Sequence, residues 1–365
     1  MSTFLFFLPF LLIFTVLAVY AERKVSAFIQ DRYGPMEVGY YGILQTVADL
    51  LKLLQKEDIV PKAASKKLFL VAPLIIFAAV FTGFSVLPVT SAWSGASVHT
   101  GVFFLLAIVS LDVIGIIIAG WASNNKYAVL GAVRSASQII SYEVPLTISV
   151  ICVLVIAQSL DLQTISYQQG ILITSIDPTA KNYLFGISAL RLDVTDIGGI
   201  LTWNIFRAPF LIPVWIIFFI TTLAESNRAP FDLPEAESEL VSGFQTEYSG
   251  FRWSVIMLAE YGMMLLTSIL GVLLFFGSWN TPLPNIGVLR LAEWTIGQPG
   301  SWSGHAWTMF WLLSKSLAMV VLQMWVRWTY PRVRLDQLMT LGWKYLTPAA
   351  LALLFICSIW RLIMI

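Results

Sequence analysis

Cysteine and histidine are scarce in this chain. Its 365 residues hold two of each. Cys152 and Cys357 lie inside apolar runs, and His99 and His305 lie in separate connecting segments. Two thiols cannot supply the four thiolates of an iron–sulfur cluster or a four-cysteine zinc site, and the histidines lack the spacing for bis-histidine haem ligation. No metal site is therefore expected. Neither GxGxxG nor GxxxxGK[ST] occurs, so the usual glycine-rich phosphate cradles are missing. Charge is short too, at 12% of residues with a net of +1, about half the roughly 25% of soluble domains. No basic stripe is present to hold nucleic acid. Any electrons passing near this protein must be carried by something else.

What is abundant is hydrocarbon: 58% of the residues are hydrophobic. Read in windows of about 20 residues, the apolar runs are 2–21, 68–90, 101–122, 139–160, 209–224, 254–277, 306–326 and 345–364. They predict an all-α membrane protein, one integral domain of eight transmembrane helices. The first run resembles a signal peptide but lacks a basic n-region, and Arg23 and Lys24 follow it, which favours an uncleaved span. Of the 22 lysines and arginines, 16 fall in the loops after spans one, three, five and seven. The positive-inside rule puts 22–67, 123–138, 225–253 and 327–344 in the cytoplasm and both termini outside. Segment 160–208 is a long outer stretch whose Leu/Ile pattern suggests partial helix along the membrane surface. Most of the 14 tryptophans sit near span ends, as an interfacial belt does.

Residues 43–56 place Ile43, Leu44, Val47, Leu50, Leu51 and Leu54 on one helical face, with Gln45, Asp49, Lys52 and Lys56 on the other. Such a helix lies in the membrane interface, either as a brace or as the roof of a crevice open to a lipid-like molecule. Arg23, Lys24 and Arg32 could donate to an oxygen-bearing headgroup there, or simply mark the inner side.

Ionisable groups fall within or beside the apolar runs: Asp112, Glu143, Glu260 and Lys315. Unpaired and unhydrated, such charges cost several kcal/mol. Lys315 is expected to pair with one of the acids, and Glu143 sits just before Pro145, where a kink could admit water. The densest acid is in 224–252, where Glu225, Asp232, Glu235, Glu237, Glu239 and Glu247 face only Arg228 and Arg252. If helical, Asp232, Glu235 and Glu239 would share a face and could hold extra protons between them. Interleaved Phe231, Leu233, Leu240, Val241 and Phe244 predict a loop folded against something. The stretch points to proton or cation handling, or to docking of a charged partner.

Five blocks carry a resemblance across nearly the whole chain: AERKVSAFIQDRYGP (21–35), GYYGILQTVADLLKLLQKE (39–57), GAVRSASQIISYEVPL (131–146), AESNRAPFDLPEAESELVSGFQTEYSG (224–250) and PRVRLDQLMTLGWKYLTP (331–348). They resemble the H-subunit family of bacterial NADH-quinone oxidoreductase, respiratory complex I, whose mitochondrial counterpart is NADH dehydrogenase subunit one. The resemblance implies a subunit without catalytic residues or redox centres of its own, in the bacterial plasma (inner) membrane with periplasmic termini. Its inner helices would form an antiporter-like half-channel. Quinone is the implied substrate, and iron–sulfur clusters and FMN are expected only in partner subunits. Those partners are the hydrophilic quinone-site subunits, small membrane subunits and antiporter-like subunits, besides the lipid bilayer.

Carried over by position, Arg23, Arg32, Asp49, Arg228, Phe231 and Asp232 would line the quinone chamber. Glu143, Glu225, Glu235, Glu237, Glu239, Glu247 and Glu260 would form the proton path. Segment 160–208 looks longer than the family pattern. The related membrane subunit of an energy-converting hydrogenase and a stand-alone ion transporter are the alternatives, the ESELVSGF block favouring the quinone branch. A bare membrane anchor leaves the acids unexplained.

Overall fold

The computed structural model describes residues 2–96, 98–176, 181–187, 193–234, 237–286 and 289–364. Among them there is no strand, only isolated bridges such as Pro88 with Ser94. Ten helices organise the rest: α1 Ser2–Ile29, α2 Gln45–Gln55, α3 Lys66–Gly83, α4 Gly101–Val109, α5 Leu111–Ala122, α6 Lys126–Ala157, α7 Leu211–Glu225, α8 Gly250–Phe275, α9 Trp302–Thr329 and α10 Thr347–Met364.

Among the described residues, six helical stretches are long and apolar enough to cross a membrane: Lys66–Val86, Gly101–Ala122, Lys126–Ala157, Gly250–Phe275, Trp302–Thr329 and Leu335–Ile363; α7 is shorter. Helix α8 is the hub. Within its apolar window 78% is buried by the rest of the chain, against 17% for the stretch that includes α10. A helix apolar on every side belongs in the interior, and Met263–Phe275 is buried without a break. α8 packs on α3 and α9, α3 on α5, and α6 on α5, α7 and α10.

Small residues let the backbones meet where lipid gives little drive to associate. A Cβ on Gly120 of α5 would stand 2.3 Å from the Ala132 Cβ of α6.

Three boundaries differ from the apolar runs. Helix α6 begins well before residue 139, with the Asn125 side chain accepting from the Tyr127 amide at 2.9 Å as its cap. Hydropathy finds only the lipid-length part of a 32-residue helix, whose rise of about 48 Å exceeds a hydrocarbon core of about 30 Å. Pro145 lies inside α6 without ending it. The third run is divided at Ser110 into α4 and α5, and α1 runs on to Ile29 through charges that hydropathy treats as a stop.

In segment 160–208 the described residues form only short helices, notably Leu162–Gln168, where Asp161 accepts from the Gln163 and Thr164 amides. Helix α2 leans on α1 and α8 and leaves Ile43, Leu44, Val47, Leu50, Leu51 and Leu54 exposed.

Candidate functional site

The most heavily tied charge among the described residues is Glu22, in the last third of α1 and 5% exposed. The Arg228 guanidinium donates to both its oxygens, at 3.4 and 3.3 Å. Arg327 at the end of α9 and the Tyr261 hydroxyl of α8 donate to it as well. Arg228 also stacks over the Tyr261 ring at 4.3 Å. Burial works against a charged Arg228, but Glu22 and Tyr261 more than offset it and hold the guanidinium protonated. Arg228 Nε and Nη2 are buried and make no hydrogen bond of ordinary geometry. Sequence reading missed Glu22, because it stands in a Glu-Arg-Lys string that looks like ordinary flanking charge.

A second group lies deeper. Glu225, the last residue of α7, is 4% exposed and its Oε2 has no hydrogen-bond partner. Glu143 and Asp112 are both near enough to act on it electrostatically. Glu225 and Glu143 line one cavity with Leu105, Leu106, Leu146 and Thr267. Its water-accessible space is about 20 Å³, enough for one water by the threshold of roughly 10–15 Å³. Asp112 Oδ1 is likewise buried and unpartnered. Three carboxyls from α5, α6 and α7 therefore converge with no basic side chain paired to them in the described residues.

The acidic stretch does not form one helical face. Among its described residues Glu237–Leu240 forms a short α-helix and Gly243–Gln245 a 3-10 turn, and Asp232 lies outside both, two residues before Pro234, whose ring denies the chain an amide donor there. Arg332 donates to Asp232 at 3.0 Å, and Arg134 of α6 donates to Glu239 at 2.6 Å. Burial lifts the Asp232 carboxyl above the usual range, opposed by Arg332, Arg327 and Arg228. Glu235 lies outside the described residues, as does the side chain of Glu237. Glu247 accepts from Asn125 at 2.7 Å, and Glu260 accepts from Gln245. Phe231 is buried against Tyr142, ring centroids 5.4 Å apart.

This loop is held to α6 by backbone contact. A Cβ on Gly131 would stand 2.6 Å from Gly243 Cα and 2.8 Å from the Phe244 nitrogen. Gly131→Ala should therefore push the loop off α6 at a cost of about 1–3 kcal/mol. Limited proteolysis of the assembled protein would read this as faster cleavage near Val241–Ser242, and an unchanged rate would refute it.

At the rim, Arg23 donates to Asp49 at 2.6 Å and Gln45 donates to its other oxygen at 3.2 Å, joining α1 to α2. Arg32 is exposed just beyond. Among the described residues no acid pairs with Lys315, contrary to expectation. Its ammonium donates to the carbonyls of Phe276 and Asn280, at 2.8 and 2.7 Å, and lies 4.6 Å from the Trp203 ring centroid. The acids sit toward the other end of the bundle, and the free carbonyls where α8 ends take their place.

Residues 1–358 match the family described as NADH dehydrogenase. The chain is 57% identical over 360 residues to an NADH-quinone oxidoreductase H subunit of Cytophaga hutchinsonii, covering 99% of this chain and 98% of that protein. It is 48% identical over 342 residues to the NADH-quinone oxidoreductase H subunit of Chlorobaculum parvum, with coverage of 94% and 86%. Against the protein of that name from a Geobacillus species it is 43% identical over 354 residues, covering 95% and 91%. The chain therefore belongs to the NADH dehydrogenase family, within the group of NADH-quinone oxidoreductase H subunits.

Proposed function

We propose that this chain is the membrane subunit of a proton-translocating NADH:quinone oxidoreductase that forms the membrane side of the quinone chamber and couples quinone reduction to proton movement. The observation that carries the reading is that Glu225 and Glu143 line one water-sized cavity, with Asp112 near enough to act on Glu225, close to the Glu22–Arg228–Arg327 knot. Carboxyls without basic partners in apolar surroundings exchange protons with water rather than serve as locks.

In this reading α1 and α7 join the six long stretches to give eight spans, with the termini on the periplasmic side of a bacterial inner membrane. Quinone enters sideways between α1 and α8, beside α2 and near Arg23, Arg32 and Asp49. Arg228, Phe231 and Asp232 stand at the inner end, toward hydrophilic partner subunits that hold the iron–sulfur clusters and FMN. Reduction of quinone draws protons, and the demand is passed through Glu239, Glu247 and Glu260 to Glu225 and Glu143, then to antiporter-like partners. This chain would hold no redox centre itself.

The test separates redox from pumping in the assembled enzyme. Glu225→Gln and Glu143→Gln should each keep quinone reduction within about threefold while lowering protons moved per electron about tenfold or more, the scale of one lost proton-transfer group. Full pumping in both variants would remove these residues from the path.

A further inference from the structure

Opposite the acid cluster, two arginines from distant parts of the chain meet. Arg207 ends the short helix Asn204–Arg207, just before α7, and Arg361 lies in the last turn of α10. The Nη1 of each is buried without a hydrogen-bond partner, and so is the indole Nε1 of Trp360. Phe210 and Trp360 pack edge to face with centroids 5.2 Å apart, fixing the end of α10 against the start of α7. The guanidinium groups are near enough to repel: burial, and then Arg361, bring Arg207 down to about 10. No carboxylate among the described residues pairs with either.

Two like charges with idle donors are costly, and an anion between them reverses the sign of the interaction. The guanidinium fork matches a phosphate bidentately, and indole N–H groups at a bilayer interface reach the same depth. Arg207, Trp360 and Arg361 are all only half-buried, so the pair opens to its surroundings. The stretch carrying α10 is the least covered of the six by the rest of the chain, which leaves the pair open to a lipid from the side.

We propose that Arg207, Arg361 and Trp360 form a binding site for a phosphodiester anion, the headgroup phosphate of an anionic phospholipid. The lipid would clamp α10 to the start of α7 and to nothing in the acid cluster, so the site is independent of the proton and quinone reading above.

The complex containing this chain would be purified as wild type, Arg207→Gln, Arg361→Gln and Arg361→Lys. Each would be placed in nanodiscs of phosphatidylcholine alone, with phosphatidylglycerol, or with inorganic phosphate in the buffer. Native mass spectrometry would count retained lipid, and heating would give the midpoint for release of the chain. Wild type and Arg361→Lys should retain phosphatidylglycerol and release later in its presence. Each glutamine variant should retain roughly tenfold less, the scale of one charge-assisted hydrogen bond. Equal protection of wild type by inorganic phosphate supports the site but gives it to the free anion. Equal phosphatidylglycerol retention in wild type and both glutamine variants overturns it. If a glutamine variant fails to assemble, retention by wild type should fall as salt rises, and retention indifferent to salt also overturns the proposal.

Discussion

Replacing Glu22 by alanine should cost about 3–5 kcal/mol, the range for removing one partner of a buried ion pair, and should sharply lower the amount of this chain found in an assembled complex. The size follows from what remains. Arg228 and Arg327 both point at the same carboxylate, and two buried nitrogens of Arg228 already make no hydrogen bond of ordinary geometry. Without the acid, the buried Arg228 guanidinium faces the Arg327 guanidinium with no counter-ion between them. Glu22→Gln keeps the shape and one acceptor but no charge, so it should fall between wild type and alanine. The companion change Arg228→Met removes one of the stranded cations, and Glu22→Ala with Arg228→Met should be less damaged than the two single losses added together. Assembly measured by native electrophoresis and by the half-life of inactivation on heating would read all four proteins. Wild-type behaviour of Glu22→Ala would show that the knot carries no stability.

The same knot marks the limit of what the chain reveals when read linearly. Runs such as 254–277 announce α8 because hydrocarbon length is a local property, and α8 indeed spans Gly250–Phe275. The apolar stripe of 43–56 is equally local, and α2 shows it exposed along one side. Pairing is not local. Glu22 lies 206 residues from Arg228 and 305 from Arg327, so no window contains both, and its neighbours Arg23 and Lys24 disguise it as topology charge. A signal did exist: an acid closing an apolar run, directly before the basic pair Arg23 and Lys24, is an odd choice for an inner face. Asp232 and Glu239 mislead the opposite way. Their spacing suits a helix, yet each finds its own arginine, Arg332 or Arg134, and two separate pairs are cheaper than one crowded face. Glu225 and Glu143 were legible as residues, whereas the absence of a basic partner became visible only once α5, α6 and α7 were placed side by side.

Lys315→Met should cost roughly 3 kcal/mol, with the damage confined to the end of α8. A charged donor to a carbonyl contributes about 1.5–3 kcal/mol, and a cation at a helix C-terminus adds up to about 2 where partly buried. Loss of rotamer restriction returns a little of that. Lys315 serves Phe276 and Asn280 together, the first of them the C-cap residue just after α8. Methionine fills the volume but leaves both oxygens without this donor, so the last turn should fray while the rest of α8, buried from Met263 onward, holds. Hydrogen exchange in the assembled protein should therefore rise over 270–276 and stay unchanged over 256–266. Quinone reduction and total proton movement should fall together, in proportion to the protein lost, leaving protons moved per electron unchanged. The rival role predicts a different pattern. If Lys315 passes protons, the methionine variant keeps its exchange protection and its quinone reduction while pumping alone disappears, and that split would refute the cap. The geometry favours the cap, because the ammonium is already spoken for by two carbonyls and an indole face, and a proton carrier needs a partner that can take the proton away.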